Sequence, residues 1–221
     1  MTSEIFLGEK RVLCFGDSNT FGYDPRSYLG SQYPPEVRWT GRLEAAGWRV
    51  LNAGQNGRCV PGPKEFPAVS ALLRRSQPLE AVTVMLGSND LLQEPSLSPR
   101  ELAGRMERFL EGIREAANPA RLLLIAPPPM RPGTWVQDRE TLERSAQLGP
   151  CYARLAQALG ISFADAGAWS IPLAFDGVHF LPEGHAAFAR GLLPLLELSP
   201  ENNTPEVRAD EHSDLRHEEV L

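Results

Sequence analysis

The sequence has few cysteines, no excess of positive charge and no long apolar run. Its three cysteines, Cys14, Cys59 and Cys151, lie far apart and form no Cys-x-x-Cys pair, so neither a disulfide framework nor a zinc ribbon is indicated. No stretch approaches the roughly 18 apolar residues of a membrane-spanning helix, and the N-terminus lacks the apolar region of a signal peptide. These absences favour a cytoplasmic protein that has no membrane as a partner.

The charge balance argues against nucleic acid as a partner. The chain has 22 Lys and Arg residues against 28 Asp and Glu residues, and a formal net charge of −6 does not attract a phosphate backbone. Residues 199–221 hold seven of the acidic residues, two basic residues and almost no apolar ones. We therefore expect one domain over residues 1–198, followed by an acidic, flexible tail with helical turns near residues 211–220.

Short apolar runs alternate with helical patterns along the domain. The runs are each short enough to be a buried strand, and they cover residues 12–15, 50–51, 81–86, 122–126 and 161–164. Three helices are predicted: one over 102–113 behind a capping box at Ser98 and Glu101, one over 142–159 that Gly149-Pro150 should interrupt, and one over 183–196. This alternation favours an α/β fold with a parallel sheet between two layers of helices.

Polar residues and glycines follow the first three predicted strands. Ser18 comes directly after the first strand, Gly57 follows the second, and Asn89 follows the third. The carboxyl ends of parallel strands share one edge of a sheet, so these three residues are expected on the same edge. Taken singly, each is also an ordinary capping or turn residue.

His179 lies three residues after Asp176, with a glycine between them. A tight turn there lets the carboxylate accept from Nδ1–H and leaves Nε2 as a base, although a lone histidine is as often satisfied by local backbone. Together the four segments supply a hydroxyl nucleophile, a base with its orienting carboxylate, and uncharged hydrogen-bond donors. Acyl transfer needs this set, because the attacking hydroxyl loses a proton while the carbonyl oxygen becomes negative.

The four segments resemble blocks I, II, III and V of the SGNH (GDSL-type) hydrolases, in the order of that family. They read Gly16-Asp17-Ser18-Asn19, Asn56-Gly57-Arg58, Gly87-Ser88-Asn89-Asp90 and Asp176-Gly177-Val178-His179-Phe180. Asn19 stands where many members have leucine. The resemblance implies a flavodoxin-like three-layer α/β/α sandwich with a five-stranded parallel sheet. It makes Ser18 the nucleophile and His179 the base oriented by Asp176. The Ser18 N–H, the Gly57 N–H and the Asn89 side chain would form the oxyanion hole.

Three further segments, 11–18, 37–41 and 126–129, resemble the arylesterase and acyltransferase branch of that family. Its members act on short acyl esters, and some form large oligomers whose neighbouring subunits roof the pocket, so a homo-oligomer is one expected state. Four aromatic residues are candidates for lining the pocket. Phe21 and Trp39 are favoured because they lie close to the motif segments, whereas Tyr23 and Trp135 are interpreted as packing residues.

The sequence therefore predicts a serine esterase that hydrolyses short-chain, acetyl-like esters of aryl, alkyl or sugar alcohols through an acyl-serine intermediate, with acyltransfer as a side activity. We expect a small-molecule ester as substrate, no cofactor and no metal. One alternative is a thioesterase or lysophospholipase for longer acyl chains, and another is a noncatalytic binding module. Asp17, Asp90 and Arg58 are expected to hold loops, and His185 is expected to be a packed or capping residue.

Overall fold

A computed structural model describes residues 10–27 and 29–198, and its centre is one β-sheet. The sheet has five strands: β1 (Arg11–Gly16), β2 (Arg49–Gly54), β3 (Ala81–Met85), β4 (Arg121–Ala126) and β5 (Ser162–Asp165). All neighbouring strands are parallel and their order is β2-β1-β3-β4-β5. The predicted α/β fold with five parallel strands is confirmed.

In the part of the chain that the structure describes, six helices lie between consecutive strands and a seventh follows β5: α1 (Ser18–Phe21), α2 (Trp39–Ala45), α3 (Phe66–Ser76), α4 (Ser88–Gln93), α5 (Pro99–Ala117), α6 (Arg139–Leu159) and α7 (Pro182–Glu197). A short 3₁₀ turn over Ala166–Trp169 follows β5. The chain runs from β1 to β2 on one side and then returns to place β3 on the other side of β1. In such sheets, ligands bind beyond the carboxyl ends of the strands at this reversal point.

The three central strands, β1, β3 and β4, are buried on both faces, which is why they are nearly continuous apolar runs. Leu13 and Phe15 of β1 pack with residues of α3, α5 and α6 in one core cluster. The alternate residues Val12 and Cys14 pack with residues of α2 and α7 in a second cluster on the other face. Side chains that alternate between the faces thus produce three layers, with the helices outside the sheet.

Two helix ends agree with the sequence signals, but one predicted interruption inside a helix is absent from α6. The capping box at Ser98 and Glu101 is present, and Gly160 ends α6 in a left-handed conformation. The predicted interruption of the second helix is wrong, because α6 continues through Gly149 and Pro150. Gly149 has no Cβ to collide with the proline ring, and the buried residues Leu148 and Tyr152 hold the helix against the core on both sides of it.

The predicted acidic tail and its helical turns lie outside the described residues. Within residues 10–27 and 29–198, no helix is both long and apolar enough to span a lipid bilayer.

Candidate active site

Three side chains from two distant segments of the sequence form one chain of hydrogen bonds beyond the carboxyl end of β1. The His179 ring lies between the other two, with Nε2 2.9 Å from Ser18 Oγ and Nδ1 2.7 Å from Asp176 Oδ2. All three residues are buried. The structure therefore brings together a hydroxyl, an imidazole and a carboxylate that the sequence separates by up to 161 positions.

The turn between Asp176 and His179 fixes the orientation of the imidazole. Asp176 Oδ1 accepts hydrogen bonds from the backbone N–H groups of Val178 and His179, each at 2.9 Å. Gly177 has φ 83°, a left-handed conformation that favours glycine, and an added Cβ would collide with the Arg131 carbonyl. The turn thus requires a glycine between the two functional residues.

Hydrogen bonding keeps the Asp176 carboxyl ionised. Burial raises its pKa, but hydrogen bonds from the His179 ring and from the two backbone N–H groups outweigh burial, so the pKa lies below its usual value. An ionised carboxylate only accepts hydrogen bonds, so the proton of the neutral imidazole lies on Nδ1. Nε2 of His179 is then a bare acceptor that faces the Ser18 hydroxyl.

Ser18 is the first residue of α1, a single helical turn that begins directly after β1. The preceding residue, Asp17, is the N-cap, and its Oδ1 accepts from the Asn19 backbone N–H at 2.9 Å. Burial raises the pKa of the Asp17 carboxyl to about 6, although the Asn19 N–H, the nearby His179 ring and the Arg58 guanidinium oppose this shift. Asp17 holds the loop that carries Ser18, as the sequence predicts.

Gly57, in the loop after β2, and Asn89, in the first turn of α4 after β3, line the same pocket. Gly57 has φ 72°, a conformation in which a side chain is strained. Asn89 Nδ2 donates to the Arg58 carbonyl at 3.0 Å, which uses one of its two amide hydrogens. The second amide hydrogen is available to a group in the pocket.

Arg58 and Asp90 hold these loops in place, which confirms their predicted structural roles. The Arg58 guanidinium donates to the backbone carbonyls of Gly16 and Ala53 and lies 4.2 Å from the centre of the Phe15 ring. The Asp90 carboxylate accepts from the Val60 N–H at 3.1 Å. Both charged groups are therefore used to connect neighbouring loops.

The pocket around Ser18 has a volume of about 230 Å³. Its lining residues come from every loop that the motifs mark, and they are Ser18, Tyr23, Asn56, Gly57, Asn89, Trp135 and His179. Tyr23 and Trp135 both pack against the imidazole, with ring centres 4.6 Å and 4.9 Å from that of His179. These two aromatic residues form the apolar part of the pocket.

The aromatic residues favoured from the sequence do not line this pocket. Trp39 is 1% exposed and packs in the core against Phe188, and its Nε1 donates to the Asn19 carbonyl. Phe21 is the last residue of α1 and is not among the residues that line the pocket. Tyr23 and Trp135, interpreted from the sequence as packing residues, line the pocket instead. The reason is geometric: proximity to a motif along the chain does not place a side chain in the pocket, whereas the fold of the loop does.

His185 is a buried capping residue, as predicted. It is 0% exposed, and its Nδ1 accepts from the Trp39 backbone N–H at the start of α2, at 3.4 Å. Burial, with the nearby charges of Arg42 and Arg38, lowers its pKa to about 3, so the ring is neutral. In the part of the chain that the structure describes, no three His, Cys, Asp or Glu residues cluster in a way that could hold a metal ion.

Comparison with known proteins identifies the family. Residues 14–187 match the family described as GDSL-like Lipase/Acylhydrolase. Because this match spans most of the chain, the chain belongs to the GDSL-like lipase/acylhydrolase family. A search of the curated proteins found no match.

Within this family, the solved structures that the chain resembles include esterases. A carbohydrate acetylesterase family member from Sinorhizobium meliloti is 29% identical, with a TM-score of 0.74 over 85% of this chain and 97% of that chain. The native aryl esterase of M. smegmatis is 28% identical, with a TM-score of 0.72 over 84% of this chain and 99% of that chain. These neighbours are SGNH hydrolases with the same sandwich fold. The protein is accordingly a carboxylic ester hydrolase of the SGNH type.

Proposed function

We propose that the protein is a serine esterase that hydrolyses short-chain, acetyl-like esters of aryl, alkyl or sugar alcohols. The observation that carries this proposal is the continuous chain of hydrogen bonds from Ser18 Oγ through the His179 ring to Asp176, at 2.9 Å and 2.7 Å, inside one small pocket. In this arrangement Ser18 is the nucleophile, His179 is the general base and Asp176 orients the base.

In the first half-reaction, Ser18 Oγ attacks the ester carbonyl while its proton passes to His179 Nε2. The imidazolium that forms is stabilised by the ionised Asp176 carboxylate, which keeps its hydrogen bond to Nδ1. His179 then gives the proton from Nε2 to the leaving alkoxide, the carbonyl–alkoxide bond breaks, and the acyl group remains on Ser18 as an ester.

The carbonyl oxygen carries a negative charge in the tetrahedral intermediate and needs donors that are already in place. The Ser18 N–H at the start of α1, the Gly57 N–H and the free Asn89 amide hydrogen are the proposed donors. The Arg58 carbonyl holds the Asn89 amide before substrate binds, so little reorganisation is required during the reaction.

In the second half-reaction, water attacks the acyl-serine, and His179 again removes and then returns a proton. An alcohol in the pocket can replace water in this step, which transfers the acyl group to a new ester. The exposed side of Trp135 and the neighbouring ring of Tyr23 offer an apolar surface on which an alcohol can compete with water.

Pocket size supports a short acyl group. A volume of about 230 Å³ is below the range of roughly 300–1,000 Å³ that is typical for larger ligands. The two structural neighbours named above are described as an aryl esterase and a carbohydrate acetylesterase family member, which agrees with a small acyl group and a variable alcohol. A thioesterase or lysophospholipase for long acyl chains needs a longer apolar channel than these residues line.

The proposal is tested with two substrate series and two proteins. One series varies the acyl chain of p-nitrophenyl esters from acetyl to decanoyl, and the other compares acetylated sugars, phenyl acetate and an acetyl thioester. We expect kcat/KM to be highest for acetyl and to fall with chain length, and Ser18→Ala to abolish turnover of every substrate. Full turnover by Ser18→Ala would exclude the mechanism, and activity that rises toward decanoyl would replace the short-chain assignment by the long-chain one.

A further inference from the structure

The side chain of Asn19 bonds to the backbone on both sides of His179. Its Nδ2 donates to the Val178 carbonyl at 3.1 Å, and its Oδ1 accepts from the Phe180 N–H at 2.9 Å. Asn19 is 4% exposed, so these bonds form away from competing water. A single amide thus brackets the residue whose ring faces Ser18.

The chemistry of this contact selects an amide. One backbone partner is an acceptor and the other is a donor, so the side chain must present an N–H to the first and an oxygen to the second. The reversed amide would oppose two acceptors on one side and two donors on the other. An apolar side chain of the same size would leave both buried backbone groups without a partner.

Asn19 connects two segments that the Ser18 and His179 hydrogen bond must keep in register. It is adjacent to Ser18 within α1, and both its partners are adjacent to His179. Asp176, by contrast, lies on the same segment as His179 and orients the ring from within that segment. The side-chain hydrogen bonds of Asp176 to Val178 and His179 stay within this segment, whereas those of Asn19 join the segment to α1.

A second set of contacts holds Asn19 itself. The Trp39 Nε1 donates to the Asn19 carbonyl at 2.9 Å, and the Trp39 backbone N–H donates to His185 Nδ1 at 3.4 Å. His185 lies on α7, shortly after Phe180 in the chain. The contacts therefore form a closed loop from Asn19 through Trp39 and His185 and back along the chain to Phe180.

We propose that Asn19 is a positioning residue for the esterase reaction: its amide sets the distance between the Ser18 hydroxyl and the His179 imidazole by binding the backbone on both sides of His179. This role rests on the proposed function of Ser18 and His179. Asn19 itself touches neither the substrate nor the reacting atoms. Its effect is to keep the nucleophile and the base aligned before substrate arrives.

The first test is Asn19→Leu, which replaces the amide with an apolar group of similar size. We expect kcat for phenyl acetate to fall roughly 100-fold, because a misplacement of about 1 Å between reacting groups has an effect of this size. KM should change little, because the pocket walls remain. Labelling of Ser18 by a fluorophosphonate should slow by a similar factor.

A matched control separates positioning from a general loss of stability. Asn52 Nδ2 also bonds to α1, donating to the Thr20 carbonyl at 3.0 Å, but the hydrogen bonds of Asn52 in the described structure include none to residues 176–180. Asn52→Leu should lower the melting temperature and leave kcat within about threefold of the wild type.

A second variant of Asn19 is needed because Asn19→Leu leaves two buried backbone groups unpaired. Asn19→Ala makes room for water to bond to these groups, which preserves the fold but not the alignment of Ser18 with His179.

The outcomes are distinguishable. An active wild type, an inactive Ser18→Ala variant and a selective loss of kcat in a folded Asn19 variant support the positioning role. If Ser18→Ala is inactive but both folded Asn19 variants keep the kcat of the wild type, or if Asn52→Leu loses as much kcat as they do, the positioning role is overturned and the proposed function stands. If Ser18→Ala remains as active as the wild type, the proposed function fails, and the positioning role fails with it.

Discussion

The two ends of the sheet carry cavities that differ in size and in chemistry. At the amino ends of β4 and β5 is a groove of about 700 Å³, and at the carboxyl end of β1 is the pocket of about 230 Å³ that contains Ser18. The groove is lined by residues 111, 114, 115, 118, 120–122 and 160–162, which include charged side chains of α5 but no Ser and His pair. The larger cavity is thus the one without catalytic chemistry.

The difference arises from what the chain does at each end of the sheet. At the carboxyl end, α1 and α4 begin directly after β1 and β3, so polar side chains such as Ser18 and Asn89 converge on one point. At the amino end, polar groups are used to hold helices, as when the Arg121 guanidinium donates to the Leu195 and Leu196 carbonyls of α7. Convergence of strand-end loops, and not volume, defines the site.

After Ser18→Ala, the largest expected effect at the small pocket comes from Asp176, the carboxylate proposed to orient His179. Asp176→Asn keeps the shape of the side chain but replaces an acceptor with an amide that favours the wrong tautomer of His179. We expect kcat for phenyl acetate to fall on the order of 10⁴-fold with KM little changed. Steady-state kinetics measures both values, and a loss smaller than tenfold would contradict the assigned role of Asp176.

A smaller effect is expected from one oxyanion donor. Asn89→Leu removes the amide hydrogen proposed to bind the substrate oxygen, and kcat should fall about 10²- to 10³-fold. Because Asn89 also bonds to the Arg58 carbonyl, urea unfolding must show that the variant is folded at the assay temperature. Unchanged kcat in the folded variant would remove Asn89 from the oxyanion hole.

The buried carboxyl of Asp17, which precedes Ser18 of the small pocket, makes the stability of the protein depend on pH. Its pKa is about 6 in the folded protein and near 3.8 in the unfolded chain, so the unfolded chain binds fewer protons between these values and stability falls as pH rises through this window. Asp17→Asn keeps the capping oxygen and removes the ionisation. We expect it to stabilise the protein by roughly 3 kcal/mol above about pH 7 and not below about pH 4.

Urea unfolding at these two pH values measures this effect. Equal stability changes at both pH values would show that the substitution acts through packing and not through the ionisation of Asp17.

A weaker effect is expected at the rim of the small pocket. Trp135 is 53% exposed and packs edge-on against His179, so Trp135→Ala should lower kcat/KM for phenyl acetate by roughly fivefold, mainly through KM. Trp135→Phe is the control and should retain most of the activity. A loss confined to kcat would indicate that Trp135 acts on the imidazole and not on the alcohol.

The smallest expected effect is at the large groove. Arg114 lines this groove at the end of α5, away from every residue of the small pocket. Arg114→Ala should leave kcat/KM for phenyl acetate within about twofold of the wild type, as usual for a surface substitution. A large loss would show that the two ends of the sheet are coupled.

Much of this architecture was predictable from the sequence because its signals are local. A strand that ends at Gly16, a capping box at Ser98 and Glu101, and an Asp-Gly-x-His turn at residues 176–179 each depend on a few adjacent residues. Parallel strands then place the residues that follow them on one edge. The candidate site follows from these two facts together.

The features that were missed depend on contacts between distant segments. Trp135 reaches His179 through the loop after β4, and Asn19 bonds to residues 159 and 161 positions away. The continuity of α6 through Pro150 depends on the core packing of Leu148 and Tyr152. No local pattern encodes such contacts, although the replacement of the usual leucine by Asn19 in block I was a signal that a polar partner was needed.

The most direct test of the account is to identify the residue that carries the acyl group during turnover. The wild-type protein is mixed with p-nitrophenyl acetate, quenched in acid within the first turnovers and digested for peptide mass spectrometry. We predict one acetyl group on the peptide that contains Ser18, and none on the same peptide of the Ser18→Ala variant. Sustained turnover with the acetyl group on another residue, or with no acetylated protein at any time of quenching, would contradict the account.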